Sequence, residues 1–290
     1  MTGFPALDYQ VVDVFTTTPY AGNPLAVVLG ADDLSTGQLQ SLAREFNLSE
    51  TAFPMAATQD GASYRLRIFS PATELPFAGH PSVGAAWVMR RLGRIGDGQV
   101  VQECGAGLLP LTVTVDAITL TGGQASLGGP LDASPFLAAV GLGSGDLAGT
   151  PVRWAGCGLE FAFVHVRDEA LARCEPDLAL LASLGNGGVS VFAPHGDRMH
   201  VRVFAGGVGV PEDPATGSAA LGLGVFLAGS GLLSGDGRSS YVVEQGVEMG
   251  RPSRLDCSVE IRAGAVTSAT VSGSVVPIAE GRIAVPARGE

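Results

Sequence analysis

The chain contains no lysine: all 17 cationic side chains among its 290 residues are arginine. Without lysine it cannot form a Schiff base with pyridoxal phosphate or with a carbonyl substrate. It also has no phosphate-binding loop ending in Gly-Lys-Ser/Thr, and no lysine of the kind that protein kinases use. This absence excludes several classes of enzyme.

Charge of either sign is scarce. Only 16% of the residues are charged, and the net charge is −11. The few scattered arginines form no basic face, which argues against a nucleic-acid partner. Hydrophobic residues make up 46% of the chain, and it contains 42 Gly and 18 Pro. This composition predicts a folded protein with a large core, short strands and frequent turns.

Cysteine is also sparse, with Cys104, Cys157, Cys174 and Cys257 far apart and no CxxC pair. The spacing indicates neither a metal site nor a disulfide framework, and it favours reduced thiols in a cytoplasmic protein. Residues 1–10 show no basic stretch followed by an apolar run, so no signal peptide is expected.

One uncharged segment, Pro214–Leu233, has the length of a membrane span, at 20 residues. It holds five glycines, lacks a flanking cation and follows directly on Glu212 and Asp213. These features favour a helix buried in the centre of a soluble domain rather than one in a membrane.

Alternating apolar and β-branched residues predict short strands throughout the chain. In the first half they lie at Tyr9–Phe15, Leu25–Leu29, Ala52–Met55, Ser63–Phe69 and within Val100–Val115. In the second half they lie at Gly158–Val166, Val189–Ala193, His200–Phe204, Tyr241–Glu244, Asp256–Arg262, Val266–Ser272 and Arg282–Val285. Helices are predicted from the capping box Ser35–Gln38 to Phe46, then at Ser82–Leu92, at Asp177–Leu184 and from Ala215 onward.

The two halves share a pattern. Arg67-Ile-Phe69 precedes the segment Phe77–Ala86, and Arg202-Val-Phe204 precedes the segment Pro214–Gly222. Each half therefore gives a strand, a polar loop and a helix of small apolar residues. The repeat predicts two similar domains whose equivalent loops meet at one cleft, a favoured place for a small-molecule site. Chance similarity between Gly/Ala-rich helices is the alternative interpretation.

Both repeats place small residues where their helix begins, at Gly79-His80 and at Gly217-Ser218. The unpaired N–H groups and the dipole of such a helix end attract a carboxylate or a phosphate. The two matching positions together predict a site for a small anion. Alternatively, Thr216 and Ser218 only cap their own helix.

Three polar residues near these helix starts are candidates for proton transfer. Glu50 precedes an apolar run, and a partly buried carboxylate can exchange protons near neutral pH. His80 lies between Gly79 and Pro81, and Asp213 precedes the second helix. The alternatives are a solvated loop glutamate, a histidine with a structural hydrogen bond, and an aspartate that only stabilises the helix end.

A series of short motifs, in order over nearly the whole chain, resembles the PhzF-like family of phenazine-biosynthesis proteins. The motifs are Asp13-Val-Phe15, Gly22-Asn-Pro24, Asn47-Leu-Ser-Glu50, Arg67-Ile-Phe69, Glu74–Pro81, Glu212-Asp213 with Ala215–Ala220, and Gln245–Glu248 with Gly250-Arg-Pro252. Two departures stand out. Pro214 occupies a place where alanine is common, and Gly122–Asp197 shows little recognisable similarity to the family, which leaves the substrate open.

The resemblance implies the α+β fold of diaminopimelate epimerase, with two pseudo-symmetric domains, each a β-barrel-like sheet wrapped around a central apolar helix. We expect an N-terminal domain over residues 1–120 and a C-terminal one over 121–290, with the option that the last strand crosses back to the first domain. The resemblance further implies a cytoplasmic homodimer that needs neither cofactor nor metal. It carries the proton-transferring role to Glu50, substrate contacts to His80 and Asp213, and helix-start binding roles to Gly79, Gly217 and Ser218.

The expected function is therefore a cofactor-independent isomerase that moves a proton on a small carboxylate-bearing metabolite. No cysteine stands at the site positions, which argues against a racemase with two catalytic thiols. One alternative is a non-catalytic binding or scaffold protein of the same fold. A second is a metal-dependent hydrolase using His80 and Asp213, although no residues show metal-ligand spacing.

Overall fold

The computed structural model describes residues 5–185, 187–206, 210–233 and 235–287. Over these residues the chain divides into two compact units, Met1–Leu120 with Gly273–Glu290, and Thr121–Ser272. Strands predominate in both and helices are few, which confirms the α+β class. Within the described ranges, no helix has both the length and the apolar character needed to cross a membrane.

The first unit is built around one mixed sheet. Its strands are β1 (Ala6–Val14), β2 (Asn23–Val28), β3 (Thr51–Met55), β4 (Tyr64–Phe69), β5 (Glu74–Leu75), β6 (Gly98–Cys104), β7 (Gly107–Val113), β8 (Ile118–Thr121) and β18 (Val275–Ala284), and its helices are α1 (Thr36–Phe46) and α2 (Gly79–Arg91). The strands pair in the order β18-β1-β2-β3-β4-β6-β7-β8. Among these described strands, the β2–β3 and β4–β6 pairs are parallel and the others antiparallel.

The strands of the second unit also pair in a mixed parallel and antiparallel order. Its strands are β9 (Ala125–Leu127), β10 (Arg153–Cys157), β11 (Glu160–His165), β12 (Gly188–His195), β13 (Arg198–Ala205), β14 (Val210–Asp213), β15 (Gly237–Gln245), β16 (Ser253–Arg262) and β17 (Ala265–Gly273). Its helices are α3 (Ser134–Ala139), α4 (Asp168–Leu171), α5 (Leu178–Ser183) and α6 (Gly217–Gly229), with a 3₁₀ turn at Ser144–Asp146. The strands pair in the order β9-β10-β11-β12-β13-β15-β16-β17.

The two strand orders match step by step. In the second unit the β11–β12 and β13–β15 pairs are the parallel ones, at the same places as β2–β3 and β4–β6 in the first. The short strands β5 and β14 each pair with the strand before them and lead into α2 or α6. The two segments of the predicted repeat therefore occupy matching positions. Part of the Gly-rich loop of the second repeat, residues 207–209, lies outside the described residues.

Helix α6 confirms the buried-helix interpretation of the uncharged segment, because every residue from Gly217 to Leu227 is buried. Close approach requires its glycines: a Cβ at Gly224 would overlap the Tyr241 hydroxyl and lie 2.6 Å from Cγ1 of Val259. Helix α2 packs equally closely on its own sheet. A Cβ at Gly84 would lie 2.6 Å from Cδ2 of Leu25.

Several predicted boundaries need correction. Helix α2 begins at Gly79 rather than after Pro81, because proline in the first turn costs no intrahelical hydrogen bond. Helix α6 begins at Gly217 rather than at Ala215. The predicted strand Gly158–Val166 begins only at Glu160. The prediction also missed the short elements β5, β8, β9, β10, β14, α3 and α4, since segments of this length carry little periodic signal.

Candidate active site

Glu50 lies in a tightly defined connection. Helix α1 has the predicted capping box at Ser35, and it ends at Asn47, which takes the left-handed conformation (φ 51°) and donates its N–H to the Ala43 carbonyl. Strand β3 starts at Thr51, which is fully buried. With both ends of the connection fixed, the Glu50 side chain is 14% exposed, so it is not a solvated loop glutamate.

His80 is a titratable group that lies beside Glu50. It lies in the first turn of α2 and is 4% exposed. Its Nε2 is 3.4 Å from Oε2 of Glu50, and its Nδ1 is 3.1 Å from the side-chain amide nitrogen of Asn23. The ring is therefore held between an amide and a carboxylate.

These neighbours determine the protonation of His80. Burial lowers the pKa of His80 to about 3, so the ring is neutral at pH 7. The Asn23 amide can only donate to Nδ1, which places the single ring proton on Nε2, the nitrogen facing Glu50. The side of the His80 ring that faces Glu50 therefore carries an N–H and not a lone pair.

Asn23 was not among the site residues predicted from the sequence. It is the first residue of β2, it is fully buried, and its Oδ1 accepts a hydrogen bond from the Ser49 hydroxyl at 3.4 Å. Gly22 before it has φ 68° and leaves no space for a Cβ against the Val14 carbonyl. The Gly22-Asn-Pro24 motif was the sequence signal, but nothing in the sequence connects it to His80, 57 residues away.

Asp213, in the second unit, lies at the end of β14. Its Oδ2 accepts a hydrogen bond from the Thr216 hydroxyl at 2.6 Å. The preceding Glu212 makes a two-pronged ion pair with Arg202, both N–O distances being 2.8 Å, and this pair ties β14 to β13. Arg202 also donates to the Leu171 and Cys174 carbonyls, so the strand carrying Asp213 is held from two sides.

The first unit contains the counterpart of that ion pair. Arg67 binds Glu74 with two N–O distances of 2.7 Å and ties β4 to β5. In each unit the guanidinium also lies 5.1 Å from the ring of the phenylalanine two residues later, Phe69 or Phe204. An arginine–glutamate pair of the same kind therefore holds in place the short strand that precedes each of the two helices.

Neither helix start has a side-chain cap. Ala78, before α2, has no polar side chain, and Thr216, before α6, gives its hydroxyl to Asp213 instead of serving the helix. The interpretation of Thr216 as a plain cap is therefore wrong. Each helix spans 13 residues, long enough for a helix dipole, and Gly79, Gly217 and Ser218 are buried in the first turns.

Thiol chemistry has no support at this site. All four cysteines are free and buried, and burial raises the pKa of Cys157 to about 11 and that of Cys174 to about 12. These two thiols stay protonated at neutral pH and are poor nucleophiles. Over the described part of the chain, no group of three or more His, Cys, Asp and Glu side chains is arranged to hold a metal ion.

Comparison with known proteins gives a consistent result. The phenazine biosynthesis-like protein family (PhzC-PhzF) matches residues 12–281, which confirms the resemblance seen in the sequence motifs. An uncharacterized isomerase of Mesorhizobium japonicum is 36% identical, over 95% of this chain and 98% of its own. The trans-2,3-dihydro-3-hydroxyanthranilate isomerase of Pseudomonas aeruginosa is also 36% identical, over 94% of this chain and 98% of its own.

A solved structure shows the same fold. It is a Bacillus anthracis phenazine biosynthesis protein of the PhzF family, with a TM-score of 0.88 over 96% of this chain and 99% of that one. At 24% sequence identity this likeness concerns the fold alone.

Proposed function

Because this chain belongs to the phenazine biosynthesis-like protein family and is an isomerase, we propose that it moves a proton between two carbons of a small carboxylate-bearing metabolite, with Glu50 as the general acid and base. The single observation that carries this assignment is the pairing of Glu50 with a neutral His80 whose Nε2–H faces it at 3.4 Å. Because the Nδ1 lone pair of the His80 ring faces the Asn23 amide, we assign the proton transfer to the carboxyl group of Glu50 and not to His80.

The proposed reaction has two steps. The Glu50 carboxylate takes the proton from an activated carbon while the electron pair shifts along the conjugated substrate. The protonated Glu50 then returns the proton to a second carbon, so the product is an isomer and no atom is gained or lost. His80 donates a hydrogen bond through Nε2–H, either to Glu50 or to a substrate oxygen, and remains neutral throughout.

We assign substrate-binding roles to the residues at the two helix starts. Gly79 offers a main-chain N–H to a substrate carboxylate at α2, and Gly217 and Ser218 do so at α6. Asp213 contacts a polar group of the substrate as an acceptor. The absence of a side-chain cap on either helix supports these roles.

The test uses a compound that a relative converts. The first substrate is trans-2,3-dihydro-3-hydroxyanthranilate, named for the isomerase of Pseudomonas aeruginosa, followed by a panel of small unsaturated carboxylates. In heavy water the wild type should place deuterium on a substrate carbon. Glu50→Gln keeps the shape but cannot accept a proton, and its turnover should fall by about 10²–10⁴-fold, with loss of the deuterium label.

Matched variants distinguish the role of Glu50 from those of His80 and Asp213, and they distinguish an isomerase from the alternative functions. Asp213→Asn and His80→Asn should raise KM as well as lower kcat, unlike Glu50→Gln. If Glu50→Gln turns over substrate at the wild-type rate, Glu50 is not the base. If product forms without solvent exchange and only with an added divalent metal, the hydrolase interpretation replaces this one. If the wild type binds carboxylates but converts none of the panel, the chain is a binding protein of this fold.

We also propose the finer architecture and setting. Each sheet is proposed to curve around its own helix in a barrel-like manner, which is supported by contacts of α2 with β1, β2, β3, β4, β7 and β18, and of α6 with β9, β10, β11 and β16. The enzyme is proposed to work as a cytoplasmic homodimer without cofactor or metal. Sedimentation analysis of the purified protein tests the homodimer, and metal analysis tests the absence of a metal.

A further inference from the structure

Gln245 is a buried polar residue that the proposed reaction does not use. It ends β15, where its backbone is fixed between Val201 of β13 and Ser253 of β16. Its side chain is 1% exposed. Such a position needs hydrogen-bond partners, and all of those described belong to Asp213 and Thr216.

The Gln245 amide spans the connection between β14 and α6. Its Nε2 donates to the Asp213 carbonyl oxygen at 2.7 Å and to the Thr216 hydroxyl at 2.9 Å, and its Oε1 accepts from the Thr216 N–H at 3.1 Å. If the amide were rotated by 180°, its oxygen would face the Asp213 carbonyl oxygen and its NH₂ group would face the Thr216 N–H. The environment therefore permits a single orientation of this side chain.

That orientation determines the direction of the next hydrogen bond. Because Gln245 donates to the Thr216 oxygen, the Thr216 hydroxyl proton is available for Asp213 Oδ2, which lies 2.6 Å away. A relay of donors thus runs from Gln245 through Thr216 to the Asp213 carboxylate. It also explains why Thr216 does not cap α6.

The adjoining turn supports the same arrangement. Gly246 has φ 76°, and a Cβ there would lie 2.7 Å from the Pro214 carbonyl oxygen. The turn backbone therefore packs directly on the segment that Gln245 bridges. Gln245 and Gly246 both come from the Gln245–Glu248 motif, for which the proposed reaction gives no use.

We propose that Gln245 is the positioning residue for Asp213, acting through the Thr216 hydroxyl to hold the carboxylate as a hydrogen-bond acceptor at the start of α6. This inference rests on the proposed role of Asp213 as a substrate contact. Gln245 itself touches no reacting atom in this scheme.

The decisive variant is Gln245→Glu, which keeps the size of the side chain but replaces the donor with an acceptor. The carboxylate that this substitution introduces accepts the hydrogen bond from the Thr216 hydroxyl, so Asp213 loses that hydrogen bond. We expect kcat/KM on trans-2,3-dihydro-3-hydroxyanthranilate to fall by about 10²-fold at pH 9, the typical cost of a small misplacement at a reacting site. A buried carboxyl next to another carboxylate is protonated more readily, so at lower pH the new side chain at position 245 regains an O–H donor. The loss of kcat/KM relative to the wild type should therefore become smaller towards pH 6.

Two controls separate positioning from stability. Gln38 is also buried, and its Nε2 donates to the Pro286 carbonyl at 2.7 Å, but it contacts none of the site residues. Gln38→Glu should lower the melting temperature without any pH-dependent loss of kcat/KM. Thr216→Ser keeps the hydroxyl and should retain activity, whereas Thr216→Val should lose it to the same extent as Gln245→Glu.

A crystal structure of the Gln245→Glu variant at pH 8 gives a readout that needs no substrate. The distance from Asp213 Oδ2 to Thr216 Oγ1 should exceed about 3.5 Å, beyond hydrogen-bond range. If it stays near the 2.6 Å of the wild type, or if the ratio of variant to wild-type kcat/KM is the same at every pH, the inference is overturned. If Asp213→Asn is impaired while Gln245→Glu is not, only this inference fails. If Asp213→Asn matches the wild type, the proposed substrate contact is what fails.

Discussion

Nε2 of His80 lies 3.4 Å from Oε2 of Glu50, while Nδ1 of the same ring faces the amide of Asn23. The amide fixes the tautomer and burial keeps the ring neutral, so a donor faces a carboxylate. Histidine often both transfers protons and donates hydrogen bonds, and this arrangement assigns the two roles to different residues. In the proposed reaction Glu50 is the acid and base, and His80 is a neutral hydrogen-bond donor to Glu50 or to the substrate.

The protonation of His80 can be measured directly. With a pKa of about 3, the ring should stay neutral from pH 8 to pH 5, and ¹⁵N spectra should show a protonated Nε2 and an unprotonated Nδ1. The unfolded chain binds this proton below about pH 6.5, whereas the folded one does not. The His80 contribution to stability is therefore lost progressively as pH falls from 6.5 towards 3. A ring that titrates near pH 6.5 would contradict the assignment.

Asn23 should control that tautomer. Asn23→Asp replaces the donor facing Nδ1 with a carboxylate, so Nδ1 should become protonated and the ring should no longer be held as the neutral Nε2–H tautomer. We expect kcat/KM to fall by about 10²-fold or more, since a wrong histidine tautomer is costly in catalysis. Ser49→Ala is the control: it removes only the long 3.4 Å contact to Asn23 Oδ1 and should change kcat/KM by less than about tenfold. Equal activity of Asn23→Asp and the wild type would refute this role.

The two matching arginine–glutamate pairs should differ in their stabilising effect. The Arg202–Glu212 side chains are 8% and 15% exposed, whereas those of Arg67–Glu74 are 14% and 39% exposed. Removing one partner of a buried pair leaves the other charge buried and unpaired. Arg202→Ala should therefore lower the free energy of unfolding by about 3–5 kcal/mol. Arg67→Ala leaves a glutamate that water can reach, and should cost about 1 kcal/mol. Urea unfolding of both variants tests the order, and equal losses would contradict it.

The ion pair between His200 and Glu248, with a distance of 3.0 Å, should make stability depend on pH. The Glu248 carboxylate raises the pKa of His200, and Asp168 and Glu244 add to this effect. Burial acts to raise the pKa of Glu248, but the contact with His200, a backbone hydrogen bond and the charge of Arg202 together outweigh burial, and the net pKa is lowered.

The raised histidine pKa sets the direction of the effect. The stabilisation is fully present below about pH 6.5 and is lost as pH rises through the higher folded-state pKa of His200. The lowered Glu248 pKa keeps the pair intact on acidification until pH falls below about 4.5. The difference in unfolding free energy between wild type and His200→Gln should be about 1 kcal/mol at pH 6 and should vanish well above neutrality. A difference that grows with pH would refute the pair.

Glycine substitutions in two helices should have opposite effects. Gly84→Ala places a methyl group 2.6 Å from Leu25 and 2.8 Å from Val14, so it should destabilise the protein by about 1–3 kcal/mol despite the better helix propensity of alanine. Gly37→Ala, in α1, meets nothing within 4 Å and should stabilise by about 0.5–1 kcal/mol. Thermal unfolding measures both, and a stabilising Gly84→Ala would show that α2 does not pack this closely on its sheet.

Local chemistry allowed the sequence to predict much of this protein. The Ser35 capping box and the buried uncharged helix both depend on residues within a few positions of each other, and the structure confirms them. The motifs identified the family and the isomerase class, which the comparisons confirm. The roles of Glu50, His80 and Asp213 remain proposals.

The tertiary structure alone determined which partners these residues meet. Asn23 reaches His80 across 57 positions, and Gln245 reaches Thr216 across 29, through pairings of strands that no local pattern encodes. The protonation of His80 likewise depends on burial, a property of the whole packed unit and not of its neighbours in the chain. The sequence by itself determined which chemical groups are present, and the fold determined which of them donate, which accept and which are shielded from water, because hydrogen-bond geometry and desolvation arise only when distant segments pack together.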